Sequence, residues 1–183
     1  MNKSNLIKIL AYAKINLTLE VINKRSDKYH EIISVLQTIN LHDQLTIEPS
    51  ESLSLKCDIP ELDSTNNLAF KAAKLLQDHS NHRGGALITL VKKIPISAGL
   101  GGGSSDAAAT LIGLNRLWNL GLSSQELMPL AKELGSDVPF FLTGGTAMVQ
   151  GRGDQVRQLP PAKTSWFVIL DPNFQSIDKT AAS

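Results

Sequence analysis

The feature that most constrains this chain is the junction "IPISAGLGGGSSDAAATLIGL", residues 94–114 of 183. A β-branched run, "GGALITLVKKI", ends at Pro95, glycine fills four of the five positions Gly99 to Gly103, and an Ala- and Leu-rich run follows at once. Glycines carry no Cβ, so successive backbone N–H groups can converge on one point. The start of the following helix adds unpaired N–H donors and roughly half a positive charge. A strand, a bare loop and a helix N-terminus in this order make an anion cradle. A flexible linker is the other reading, but it has no need of a Pro-stiffened start and a strong helix at its end. Two common nucleotide templates are excluded. No Lys follows the glycines, and Ser104 stands where the third glycine of G-x-G-x-x-G belongs in the Gly99 and Gly101 register. Ser104 and Ser105 place hydroxyls within reach of a phosphate oxygen or a magnesium ion.

Around this junction the hydrophobic period changes several times. Lys8 to Ile22 alternates as a strand, with Ile15, Leu17, Leu19 and Val21 on one face. "EIISVLQTINL", "QLTIEPS" and "LSLKCDI" read as three further strands. Asn67 to His79 has helical period, with Leu68, Ala72, Leu75 and Leu76 on one face and Asn66 or Asn67 as N-cap. The glycine junction feeds a helix from about Ser104 to Leu117, closed by Gly121 as a left-handed cap. "SSQE" at 123–126 is a capping box for a helix that runs to Leu134 and stops at Gly135. "TAMVQGRGDQVRQLP" reads as a hairpin and "WFVIL" as one more strand. Strands and helices are partly segregated, so the fold class is α+β. The polar ending "DPNFQSIDKTAAS" closes with no element, which is either a loose tail or a chain cut short.

Composition excludes several functions. With 18 basic and 17 acidic residues the net charge is +1, which gives no electrostatic reason for a nucleic-acid or anionic-membrane partner. The single Cys57 cannot close an internal disulfide and reads as a small core or strand residue in a reducing compartment. No apolar run is long enough for a membrane span and the N-terminus has no signal-peptide pattern, so the expected location is cytoplasmic. No Cys/His cluster has zinc spacing.

Three more stretches carry chemistry. In "ELGSDVPFF", Asp137 lies between a glycine helix stop and Pro139. Its carboxylate either caps the next turn or serves as general base or magnesium ligand. In "AKIN", Lys14 either faces solvent or shares a strand face with Asn16, so that two polar side chains point one way. In "KYHE", Tyr29 and His30 either stack on and hydrogen-bond a base or lie at a sheet edge.

Taken together, "AKINLTL", "YHEI", "IPISAGLGGGSSDAAA" and "GSDVPFF" resemble the GHMP kinases, the superfamily of galactokinase, homoserine kinase, mevalonate kinase and phosphomevalonate kinase. The similarity runs from about residue 8 to residue 180. It implies a ribosomal protein S5 domain 2-like fold, with a mixed sheet packed on helices. The implied domains are an ATP-binding N-terminal domain over residues 1–160 and the start of a truncated C-terminal domain over 161–183. "YHE" and "GSDVPFF" narrow the resemblance to the members that use ATP and Mg²⁺ to phosphorylate the C2 hydroxyl of 4-diphosphocytidyl-2-C-methyl-D-erythritol, a cytidine diphosphate-linked methylerythritol of non-mevalonate isoprenoid biosynthesis.

The resemblance implies roles residue by residue. Asp137 takes the proton of that hydroxyl, and Lys14 stabilises Asp137 and the phosphoryl in transfer. Pro95, Ile96, Ser97, Ala98, Gly99, Leu100, Gly101, Gly102, Gly103, Ser104 and Ser105 wrap the triphosphate, with Ser104 or Ser105 nearest Mg²⁺. Asn67, Leu68 and Lys92 hold the adenine side, Tyr29 and His30 the cytosine ring, and Asn16 the methylerythritol. Tyr12 and Lys28 depart from the family's usual Pro and Gly. Members also continue into a second domain with a further glycine-rich motif. Alternatives are another GHMP small-molecule kinase or a non-catalytic nucleotide-binding fragment.

Overall fold

The computed structural model describes residues 6–26 and 29–171, so Lys28 and the sequence from residue 172 onward lie outside the described residues. Strands β1 (Ile7–Lys24) and β2 (His30–Ser50) form a long antiparallel pair. β1 follows one edge of β2 along nearly its whole length. The other edge is therefore shared end to end by β4 (Gly85–Val91), opposite Gln44–Ser50, and β5 (Thr146–Gly151), opposite Ile32–Gln37. Residues 38–43 of β2 belong to neither ladder, and this gap is where the site lies. β3 (Ser54–Cys57) runs parallel to β4 with helix α1 (Leu68–Ser80) as the crossover, and β6 (Gln155–Gln158) closes the hairpin with β5.

One face of the mixed sheet is covered by α1, α2 (Gly102–Leu117) and α3 (Ser124–Leu134); a short α4 (Val138–Phe141) follows. Leu45, Ile47, Ile88 and Leu90 from the sheet meet Ala72, Leu76, Leu111 and Leu114 from the helices in one core. Gly113 sets the approach of α2, because a Cβ there would collide with Ile47 Cδ1. Asn67 caps α1 by accepting from Ala69 N at 2.9 Å, and Ser123 with Glu126 forms the expected capping box. The α+β expectation holds.

Several local expectations are corrected. "EIISVLQTINL" and "QLTIEPS" are one strand, because the polar break at Asp43 is absorbed by ion pairing and backbone donors and the sheet continues through it. α2 begins at Gly102 rather than Ser104. It is closed at Trp118 and Asn119, whose φ of 53° supplies the left-handed turn; Gly121, at φ 69°, lies beyond the cap. "WFVIL" joins no strand: Trp166, Val168 and Leu170 are almost fully exposed, and no ladder among the described residues includes them. The sequence puts Leu17, Leu19 and Val21 on one face of a strand, but β1 is exposed on both faces from Leu17 onward, since the packed core covers only its Ile7–Ile15 part. Among the described residues no helix is long and apolar enough to cross a membrane.

Candidate functional site

The loop from Pro95 to Gly101 leaves β4 and turns through three left-handed residues, Ser97, Gly99 and Gly101. Gly101 is required twice over. Its φ is 73°, and a Cβ there would sit 2.7 Å from Phe141 Cζ and 3.2 Å from Lys14 Cγ. Gly101 is also the N-cap of α2 and has no side chain to cap it, so the first-turn N–H groups are left for an anion. Together the loop, Asn67, Leu68, Lys92, Ser104 and Asp106 line a cleft of about 370 Å³. Ser105 is not part of it. Its hydroxyl donates to Tyr12 O at 2.7 Å and its side chain is buried against β1. Asn67 lines the cleft with its amide already committed, since Nδ2 donates to Leu62 O while Oδ1 caps α1.

Beneath the loop lies a buried charge cluster absent from the sequence reading. Lys92 Nζ donates to Asp43 Oδ2 at 2.5 Å and to Asp106 Oδ2 at 2.7 Å, with all three side chains at most 4% exposed. Asp43 Oδ1 also accepts the backbone N–H groups of Lys93 and Ile94. The cluster ties β2, the exit of β4 and the second turn of α2 together, bracketing the loop at both ends. The Lys92 ammonium is thus held at the foot of the loop between two carboxylates. Burial alone would lower its pKa, but the attraction and hydrogen bonds of Asp106 and Asp43 outweigh that and raise it. Burial pushes the Asp106 carboxyl up to about 7 against the opposing pull of Lys92, and its Oδ1 has no hydrogen-bond partner among the described residues.

At the loop's other end a register shift in β1 between Tyr12 and Lys14 turns Ala13 and Lys14 both inward. Lys14 N donates to Leu100 O at 3.0 Å, so β1 itself holds the glycine loop. The Lys14 ammonium donates to Asn16 Oδ1 at 2.8 Å and stands 3.7 Å from Asp137 Oδ2. The expected pairing of Lys14 with Asn16 is therefore present, and Asp137 joins them. Asp137 occupies the N-cap position of α4 without a side-chain capping bond, which removes the capping reading.

Tyr29 and His30 lie exposed at the turn between β1 and β2. The Arg152 guanidinium lies 5.4 Å from the Tyr29 ring centroid and donates to Lys132 O at 3.0 Å. A Cβ on the next residue, Gly153, would come 3.8 Å from Asp137 Oδ1, so the β5–β6 turn connects the Tyr29 side with Asp137. Arg152, Asp43, Asp106 and Ser34 were missed in the sequence. The available signals were an aspartate inside an otherwise apolar strand and an aspartate closing the glycine motif.

Residues 67–145 match the GHMP kinases N terminal domain. Over those residues the chain is similar to a GHMP kinase N-terminal domain. A 4-diphosphocytidyl-2-C-methyl-D-erythritol kinase from Carboxydothermus hydrogenoformans is 51% identical over 176 residues, 94% of this chain and 60% of that protein. One from Dehalococcoides mccartyi is 44% identical, over 97% of this chain and 63% of that protein. A crystal structure of 4-(cytidine 5'-diphospho)-2C-methyl-D-erythritol kinase superimposes with a TM-score of 0.73 at 42% identity, covering 84% of this chain and 55% of that one. The chain thus spans about 60% of the length of the curated relatives it matches.

Proposed function

We propose that this domain belongs to an ATP-dependent kinase that phosphorylates the C2 hydroxyl of 4-diphosphocytidyl-2-C-methyl-D-erythritol. The observation that carries the reading is the Lys14–Asp137 pair, held 3.7 Å apart beside the glycine loop. Support for the substrate comes from relatives of that name at up to 51% identity, together with Tyr29 and His30 at an exposed turn.

In this mechanism the backbone N–H groups of the loop and of the first turn of α2 receive the triphosphate. Phosphoryl transfer needs positioning and charge neutralisation more than covalent help. Asp137 accepts the C2 hydroxyl proton as that oxygen bonds to the γ-phosphorus. The bond to the β,γ-bridging oxygen breaks and ADP leaves. A positioned base contributes about 10²–10⁴-fold. Lys14 stands beside Asp137 and offsets charge on the transferring group. Tyr29 and His30 hold the cytosine, Asn16 the methylerythritol, and Leu68 with the stems of Asn67 and Lys92 the adenine side.

Magnesium fits only as an ion shared with the nucleotide. Among the described residues no group of three His, Cys, Asp or Glu side chains could hold a metal, and of Ser104 and Ser105 it is Ser104 that lines the cleft. Mg²⁺ keeps several waters and binds through phosphates in such sites, where it would neutralise phosphate charge. We put the end of the ATP-binding domain at residue 160, a reading supported by the end of β6 at Gln158.

The test is substrate-dependent ADP release in a coupled assay, on this chain and on the full-length protein that contains it. Activity that disappears in Asp137→Asn supports the kinase. Binding of ADP with no turnover by this chain supports the second reading, a nucleotide-binding piece, which is favoured by its covering about 60% of its relatives. Turnover unaffected by Asp137→Asn refutes the assigned mechanism.

A further inference from the structure

Ser34 is fully buried on β2 in the interior of the sheet, yet it carries a hydroxyl where a core residue would serve. We propose that Ser34 is a positioning residue: it fixes the direction of the Asn16 amide and thereby aims a carbonyl oxygen at the Lys14 ammonium. The argument is one of donors and acceptors. A serine hydroxyl has one proton, and Ser34 Oγ gives it to Thr18 O at 2.5 Å. Toward any other group Ser34 Oγ can only accept. It accepts from Asn16 Nδ2 at 2.8 Å, which leaves Asn16 Oδ1 to face Lys14 Nζ, also at 2.8 Å. With the amide turned over, an NH₂ group would face an ammonium and a carbonyl would face an oxygen with no proton left to give. Both contacts would be lost together.

The strand geometry explains why Thr18 O is available. The pairing of β1 with β2 slips between Asn16 and Thr18, from Asn16 opposite Leu36 to Thr18 opposite Val35. There the Thr18 hydroxyl oxygen accepts the Val35 N–H at 3.1 Å, in the place of a backbone carbonyl. The Thr18 carbonyl is then free to receive the Ser34 hydroxyl. The bulge and Ser34 thus form one directional chain, from Lys14 through Asn16 and Ser34 to Thr18 O. Among the described residues the bond to Asn16 is the ammonium's one hydrogen bond, and Asp137 stands at 3.7 Å beyond hydrogen-bond reach. The orientation of a single amide therefore decides whether Lys14 is anchored as a cation beside Asp137.

The chemical role of Lys14 rests on the proposed kinase activity, but the relay can be tested without turnover. Competitive acylation of the full chain with acetic anhydride, read lysine by lysine in a mass spectrometer, compares Lys14 with the exposed Lys8 and Lys56. In Ser34→Ala the relative reactivity of Lys14 should rise at least threefold, as its anchor is lost. In Asn16→Asp both oxygens of the side chain accept, so there is no direction to lose. Adding Ser34→Ala to Asn16→Asp should then leave Lys14 reactivity unchanged. An equal rise in both backgrounds would mean that Ser34 acts through packing alone, and no rise in either would remove the relay; both results overturn the proposal. Should Ser34→Ala fail to fold, the wild-type protein decides. A nuclear Overhauser contact between the Asn16 side-chain NH₂ and Ser34 Hβ is expected, and its absence overturns the proposal. If the chain shows no kinase activity these arms still report, and if they fail the kinase reading still stands.

Discussion

Replacing Lys92 by Met removes the cation that Asp43 and Asp106 share. All three side chains are at most 4% exposed, so water cannot take over the role of the ammonium. Removing one partner of a buried ion pair costs about 3–5 kcal/mol, against about 0–1 kcal/mol for an exposed pair. For a domain of this size each kcal/mol moves Tm by roughly 2–4 °C, which gives an expected fall of about 6–20 °C. The loss should narrow at acid pH, where Asp106 takes up a proton and one buried charge disappears. Thermal unfolding followed by circular dichroism at pH 8 and pH 5 measures both parts. Lys92→Met combined with Asp106→Leu should recover part of the loss, because it leaves only Asp43, which keeps the N–H groups of Lys93 and Ile94. A loss below about 1 kcal/mol at pH 8, the value of an exposed pair, would refute the reasoning.

The raised Asp106 pKa sets a sign of its own. A carboxyl at about 7 in the folded chain, against its ordinary 3.8, binds its proton more tightly when folded. Stability should therefore fall as pH rises from about 4 to 7, by on the order of 4 kcal/mol in total, and urea titrations of Asp106→Asn should lack that slope. Gly101→Ala should weaken MgADP binding at least tenfold in calorimetry, since it meets both a left-handed φ and Phe141. Gly103→Ala, with no protein atom within 4 Å of the new Cβ, should leave the unliganded fold intact and gain about 0.5–1 kcal/mol in helix stability, whereas Gly101→Ala should lower Tm; equal effects of the two on Tm would sink the argument. Under the proposed kinase function, His30→Ala should raise the KM for the cytidine-bearing substrate and spare that for ATP. An unchanged substrate KM would remove His30 from recognition.

Much of this was legible in the sequence because it is local. The glycine junction, the Asn67 cap, the Ser123–Glu126 capping box and the β5–β6 hairpin are fixed by backbone conformations and hydrogen bonds within a few residues. The period-2 pairing of Lys14 with Asn16 is local too. By contrast, "WFVIL" has a strand's composition and no strand partner among the described residues, and the alternation of Leu17, Leu19 and Val21 gave no sign that nothing covers them. Tertiary structure alone decided that Asp43, 49 positions before Lys92, would share its ammonium with Asp106. It also committed Ser105 to Tyr12 O across 93 positions and brought Asp137 beside Lys14. Buried charges and hydroxyls take their meaning from the partner that desolvation forces on them. Those partners come from the pairing of β2 with its three neighbours and the docking of α2, which no spacing along the chain encodes.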